Sequence, residues 1–248
     1  MKKGQHFLVD QALLRRIADY AELTHSDRVF EVGPGTGNLT EILASRAGQV
    51  YAVEVDPCLA SDLQCRLRDV NVIKGDALKV DLPEYNKIVS NLPYQISSKI
   101  TLRFLSRPFE LAVLMYQQEF AKRIFAKPGT SEYGRLAMIV GYLSKGEILE
   151  VVPRSAFRPV PAVKSAVVRL RPKEHEVDAV EFIKFAEGLF GSRRKKIKKA
   201  LLAMGVSRER QAELDTSLLE KRPEELTPEE AAGLAKVIFS YQYVPNLE

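Results

Sequence analysis

The sequence predicts an α/β fold: a mostly parallel sheet with helices on both faces, an antiparallel hairpin at its edge, and a small all-helical C-terminal domain. Three observations predict it. Short apolar runs alternate with helix-patterned stretches between Arg28 and Ala126, as strands joined by crossover helices do. The first run, Arg28-Val29-Phe30-Glu31-Val32-Gly33, leads straight into Gly33-Pro34-Gly35-Thr36-Gly37, a turn that opens onto a helical pattern. From Asp178 onward only the helical period remains. The expected division is 1–176 for the sheet domain and 177–248 for the helical one.

At 248 residues, 46% of them hydrophobic, the chain can bury a full core. No apolar run approaches the ~20 residues of a membrane span. Met1-Lys2-Lys3-Gly4-Gln5-His6 lacks the apolar region of a signal peptide. Cys58 and Cys65 share an expected helix, with no His or Cys nearby to complete a metal set. A cytoplasmic, monomeric protein without membrane or metal is therefore expected. The net charge of +5 permits a polyanionic partner but does not require one.

The elements follow in order. Leu13, Leu14, Ile17, Ala18, Tyr20 and Ala21 keep helical spacing behind Asp10, a plausible N-cap. Arg28 to Gly33 is a strand, and Leu39 to Ala47 a helix. Strand, glycine-rich turn and helix open a nucleotide-binding unit, since glycines permit the turn and the close approach of a ligand. A dinucleotide fingerprint would need its third glycine where Asn38 stands. Gly-x-Gly-x-Gly, with Pro34 inside and Glu31 ahead, resembles instead the S-adenosylmethionine loop of Rossmann-like methyltransferases. The second strand, Val50 to Val55, ends in Glu54, placed to hydrogen-bond ribose hydroxyls. The third, Val70 to Asp76, ends in an acid that either accepts from an adenine amino group or caps the turn at Ala77.

The fourth strand, Lys87-Ile88-Val89-Ser90, delivers Asn91-Leu92-Pro93-Tyr94 to its carboxyl end, where open α/β sheets bind ligands. Asn91 offers a side-chain carbonyl, and Leu92, extended by the following proline, offers a backbone carbonyl. Pro93 stiffens the turn and Tyr94 adds a flat face. Two acceptors and a stacking surface suit an exocyclic amino group on a planar base; a strand-ending turn with a core tyrosine is the plainer reading. Ser97 to Ser106 is a helix, Phe109 to Tyr116 a strand, and Gln117 to Ala126 and Tyr133 to Leu143 are helices. Strands Glu147 to Val152 and Ser165 to Leu170 lack a crossover helix between them, hence the antiparallel pair. Their connection, Phe157-Arg158-Pro159-Val160-Pro161-Ala162-Val163, reads as an irregular loop, with Phe157 either a core anchor or a base-stacking ring. In the helical tail, Arg193-Arg194-Lys195-Lys196-Ile197-Lys198-Lys199 puts six cations in seven residues with no acid nearby in sequence. Such a run is either a solvated face or a surface that tracks phosphates.

Taken together, these stretches resemble the small-subunit ribosomal RNA adenine dimethyltransferase family, with its class I methyltransferase sheet. Gly4-Gln5-His6-Phe7-Leu8, Glu31 to Thr40, Glu54-Val55-Asp56 and Gly75-Asp76-Ala77 carry the likeness, followed by Asn91 to Tyr94. Tyr133-Gly134-Arg135-Leu136, Phe157 to Leu170, and Phe190 with Arg193-Arg194-Lys195 extend it over nearly the whole chain in family order. The resemblance implies dimethylation of adenine N6 near the 3′ end of small-subunit rRNA during ribosome maturation. It implies that His6, Leu8, Gly33, Glu54, Asp76 and Asn91 contact S-adenosylmethionine, which leaves as S-adenosylhomocysteine; Gln5, Gly35, Val55 and Ala77, in the same stretches, complete the expected cofactor site. It likewise implies that Tyr94 and Phe157 sandwich the target adenine, so that Asn91, Leu92, Pro93, Tyr94 and Phe157 are the expected adenine site; the concentrated charge of Arg193, Arg194, Lys195, Lys196, Lys198 and Lys199 makes them the expected RNA contacts. Ala162 and Lys164 depart from the family's frequent Lys and Asp, and Gln95 from its Asn. A large-subunit rRNA methyltransferase of the macrolide-resistance type is the nearest alternative. A dinucleotide oxidoreductase conflicts with Asn38, and a non-catalytic RNA-binding factor with the intact loop, Glu54 and Asn91.

Overall fold

The apolar alternation builds a seven-stranded sheet. The computed structural model describes residues 6–240. Strand β1 (Phe7–Leu8) precedes helix α1 (Gln11–Tyr20), which Asp10 caps by accepting from Leu13 N. Then come β2 (Arg28–Val32), α2 (Asn38–Ala44), β3 (Gln49–Glu54), α3 (Pro57–Arg66), β4 (Val70–Lys74), β5 (Lys87–Asn91), α4 (Ser97–Leu105), β6 (Leu111–Gln117) and α5 (Gln118–Ile124). Residues 75–86 link β4 to β5 through turns alone, so this crossover lacks the helix of the others; Pro83 interrupts any helical run there. Next are α6 (Arg135–Leu143), β7 (Ser144–Val152), β8 (Phe157–Arg158) and β9 (Ser165–Pro172). Helices α7 (Ala179–Gly191), α8 (Ile197–Ala203), α9 (Arg208–Gln211), α10 (Thr216–Glu220) and α11 (Pro228–Ser240) complete the described chain.

The sheet runs β4-β3-β2-β5-β6-β9-β7. Strands β4 to β6 are parallel, and β9 turns antiparallel to β6, giving the expected antiparallel edge. Strand β6 is buried along six of its seven residues, as a strand covered on both faces must be. Strand order reverses between β2 and β5. There the register holds for two pairs only, Val29↔Lys87 and Phe30↔Ile88. Beyond them the Ser90 hydroxyl spans the gap, donating to Val32 O at 2.7 Å and accepting from Val32 N at 3.3 Å. The parting strands open a crevice at their carboxyl ends, the ligand position in doubly wound sheets.

By contacts, the described chain divides into two units, 6–122 with 146–172 and 123–145 with 173–240. The boundary read from composition lies near 176; the second unit also takes in the mid-chain helix α6. The core of the first unit gathers Leu8, Leu13, Leu14, Ile17, Val29, Leu43, Val89, Val113, Phe157 and Val167. In the second, Tyr142 meets Phe182 with ring centroids 4.1 Å apart, and α6 packs on α7 and α11. No helix among the described residues is long and apolar enough to cross a membrane.

Candidate active site

The glycine turn is held from below. Gly33 and Gly35 adopt φ of +67° and +58°, where a β-carbon is strained. A β-carbon on Gly33 would also come within 3.0 Å of Pro93 Cγ, and one on Gly35 within 2.8 Å of the Phe7 ring. The turn therefore touches the Asn91–Tyr94 stretch on one side and β1 on the other. Glu54 is buried, 4% exposed, rather than open at the strand end. Its Oε2 accepts from Gly35 N at 3.1 Å and its Oε1 from Asp56 N at 2.9 Å. Gly75 N donates to Glu54 O at 2.9 Å and brings the β4 turn alongside. Val55, by contrast, is 61% exposed.

Beneath the turn, Glu31 is fully enclosed. Burial pushes its carboxyl up to about 8; the Thr40 hydroxyl opposes this and the Glu54 charge adds to it. Thr40 acts from nearby without hydrogen-bond geometry, since Glu31 Oε2 and Thr40 Oγ1 are both without partners. At pH 7 Glu31 stands mainly as the neutral acid.

Asn91 ends β5 half-buried, paired in register with Met115. Leu92 as a whole residue is 1% exposed, and its amide donates to Met115 O at 3.3 Å, which pins the backbone. Among the described residues, neither the Asn91 side chain nor the Leu92 carbonyl makes a hydrogen bond. Pro93 has φ −59° and ψ 121° and leads into a single 3-10 turn, Tyr94–Ile96. Tyr94 is half-buried, its hydroxyl 2.7 Å from Ser165 Oγ.

Asp76 Oδ1 accepts from Leu78 N at 2.9 Å, capping its own turn, and its other oxygen makes no hydrogen bond among the described residues. Ala77 is buried. The N-terminal segment crosses the turn. Leu8, itself buried, accepts at its carbonyl from Asn38 Nδ2 at 2.8 Å, and His6 Nδ1 donates to Pro159 O at 2.9 Å. Gln5 lies outside the described residues. The Phe157 connection is not wholly irregular: β1 and β8 pair through Phe7↔Arg158 and Leu8↔Phe157. Ladder and core together leave Phe157 0% exposed, as a core anchor would be, without an open face. Sequence reasoning passed over Ser90, Ser165 and the Asn38 bond, because each acts on a partner far away in sequence.

The basic run needs one correction. Three of its six cations are balanced, because acids from later in the chain fold onto it. Arg193 pairs with Glu224 at 2.7 Å and donates to the Ser131 and Tyr133 carbonyls at 3.1 and 3.2 Å. Lys196 and Lys198 both pair with Glu220 and hold its carboxyl down to about 2. Arg194, Lys195 and Lys199 are exposed and form no ion pair among the described residues.

The family model described as ribosomal RNA adenine dimethylase matches residues 1–238. A protein of Methanosarcina mazei named probable ribosomal RNA small subunit methyltransferase A is 47% identical over 247 residues, covering 95% of this chain and 91% of its own. Among solved structures, a dimethyladenosine transferase from Plasmodium falciparum superposes with a TM-score of 0.79 at 28% identity, covering 95% of this chain and 97% of that one. The 23S rRNA methyltransferase ErmE gives 0.67 at 33% identity, covering 94% and 99%.

Proposed function

The chain belongs to the ribosomal RNA adenine dimethylase family, and on that premise we propose that it dimethylates the N6 amino group of adenines near the 3′ end of small-subunit rRNA, using S-adenosylmethionine, in the maturing small subunit of the cytoplasm. The observation that carries the reading is the placement of Asn91–Tyr94. The stretch stands at the crevice where strand order reverses, against the glycine turn, with two carbonyl acceptors unengaged and an aromatic ring half-exposed. A large-subunit target is disfavoured by the relatives' names: the small-subunit enzyme of Methanosarcina mazei is 47% identical, ErmE 33%.

The residues present fit S-adenosylmethionine. Gly33 and Gly35 leave a cradle that a β-carbon would fill, Val55 offers an exposed apolar surface past the strand end, and Asp76 keeps one carboxylate oxygen unengaged. With Gln5, His6, Leu8, Glu54, Ala77 and Asn91 these form the proposed cofactor site, Glu54 having lone pairs beyond its two amide bonds. The bound cofactor supplies a methyl group already activated by its sulfonium. The protein's task is then alignment. Adenine N6 is a poor nucleophile because its lone pair is delocalised into the ring. Asn91 Oδ1 and the Leu92 carbonyl accept hydrogen bonds from its two N–H groups and favour a pyramidal nitrogen with a directed lone pair. No base is required, since water takes the proton once the methylated nitrogen becomes acidic. The target base leaves its stack at a cost of a few kcal/mol, and stacking on Tyr94, worth ~1–3 kcal/mol, largely offsets this.

The test has two parts. Methyl transfer to purified small- and large-subunit particles, with modified bases mapped, is expected to label small-subunit adenines. In single turnover with saturating S-adenosylmethionine, Asn91→Ala is expected to slow transfer roughly 100-fold, as removal of one oriented polar group from a site does. RNA affinity changes little, because phosphates carry most of it. Wild-type rates for both methyl groups in Asn91→Ala would mean that the acceptor mechanism is wrong.

A further inference from the structure

We infer that Ser165 is a positioning residue for this reaction, holding the Tyr94 phenol so that the ring keeps one orientation and its hydroxyl stays out of the chemistry. The inference rests on the reading of Tyr94 as the surface on which the target adenine stacks.

The two hydroxyls lie 2.7 Å apart although 71 residues separate them in sequence. Ser165 is 0% exposed, and its backbone is fixed by pairing with Gln117 at the start of the β6–β9 ladder. Tyr94 hydroxyl is the one hydrogen-bond partner of Ser165 Oγ among the described residues. Tyr94 is restrained at its other end too, because Pro93 and the 3-10 turn Tyr94–Ile96 set its backbone. The ring is thus tied at Cα and at its hydroxyl, while its half-buried state leaves part of its surface for a base.

Two consequences follow from elementary chemistry. A ring fixed before the base arrives loses no rotamer freedom on stacking, so the bound geometry is pre-organised. The bond to Ser165, with either hydroxyl able to donate, fixes where the phenol oxygen sits. Burial raises the phenol above its ordinary ionisation range, against the opposing Ser165 hydrogen bond, so it stays neutral at working pH. The amino protons are left to Asn91 and Leu92.

The experiment compares Ser165→Ala, Tyr94→Phe, the double variant and Tyr94→Ala in single turnover with saturating S-adenosylmethionine. RNA affinity and thermal midpoint are measured in parallel. Ser165→Ala and Tyr94→Phe are each expected to slow transfer about threefold to tenfold, the factor of one neutral hydrogen bond. The double variant should be no slower than the slower single variant, and RNA affinity should stay within about twofold, because phosphates carry it. A merely structural serine would instead move the thermal midpoint and leave the saturated rate unchanged. If Ser165→Ala fails to fold, Tyr94→Phe decides alone, since it removes the bond from the half-exposed side. Normal rates in both single variants, or additive losses in the double, overturn the positioning role. If Tyr94→Ala is slow in the same set, the stacking reading survives that failure; if Tyr94→Ala is also normal, stacking and positioning fall together.

Discussion

At the scale of single residues, two buried carboxyls behave differently because one has both oxygens bonded and the other leaves an oxygen without a partner. Glu54 accepts from the amides of Gly35 and Asp56. Glu54→Ala leaves both without an acceptor, so it is expected to lower stability by about 1–3 kcal/mol and to weaken S-adenosylmethionine binding as the turn loosens. Urea unfolding and calorimetry test this; unchanged stability would mean that the amide bonds contribute nothing. Glu31 has one oxygen without a partner and a carboxyl raised from an unfolded value near 4.5 to about 8. The folded chain therefore keeps a proton that the unfolded chain releases across that window. Stability from this group is complete below about pH 4.5, falls as pH rises, and levels off above about pH 8. Glu31→Gln removes the decline and is expected to be more stable than the parent at pH 8, by on the order of a few kcal/mol. Parallel stability–pH curves for the two proteins would show that Glu31 titrates normally.

At the scale of elements, the short β1–β8 ladder ties the N-terminal segment to the β7–β9 connection and seats Phe157 in the core. Truncating a fully buried phenylalanine removes its transfer energy and leaves a cavity. Phe157→Ala is therefore expected to cost about 3–5 kcal/mol and Phe157→Leu considerably less. The denaturant midpoint measures it, and a midpoint equal to the parent's would place the ring outside the core. For Phe157 to stack on a base as well, β1 and β8 have to part. Proline-rich composition predicts an irregular connection here, and irregular it is except at Phe157–Arg158. A two-residue ladder has no periodicity for a sequence to display, so its partner, far along the chain, is not legible.

At the scale of the whole molecule, charge and fold divide the work between two units. The first contains the proposed chemistry; we propose that the second, which holds the described part of the expected 177–248 domain, binds RNA. Its six-cation run separates into two sets. Arg193, Lys196 and Lys198 are paired with Glu224 and Glu220, while Arg194, Lys195 and Lys199 are not. Replacing the second set with Gln is expected to flatten the salt dependence of RNA binding by roughly 0.7 in slope per lost single-strand contact, with the thermal midpoint unchanged. Replacing the first set should lower the midpoint modestly, since exposed pairs are individually weak, and disturb the slope less. Arg193, bonded also to two carbonyls, should dominate that loss. Equal slope changes in the two sets would show that the ion pairs do not withhold cations from RNA.

What the sequence determined by itself is what local chemistry and short-range pattern encode. The parallel sheet follows from apolar runs spaced by helical stretches. The glycine turn follows from residues that alone tolerate positive φ, and the placement of Asn91–Tyr94 from a strand that must end where they begin. What only the tertiary structure decided concerns partners distant along the chain. Glu54 is legible as a strand-end acid, but its burial against two amides depends on how Gly35 and Asp56 fold around it. The charges of the basic run are legible, but their neutralisation depends on Glu220 and Glu224 arriving from a later helix and turn. Tyr94 is legible as a flat ring, while its fixed hydroxyl depends on Ser165 in a strand added at the far side of β6. Composition records which groups a chain carries; folding chooses which of them spend their hydrogen bonds and charges on one another, and so which remain for a ligand.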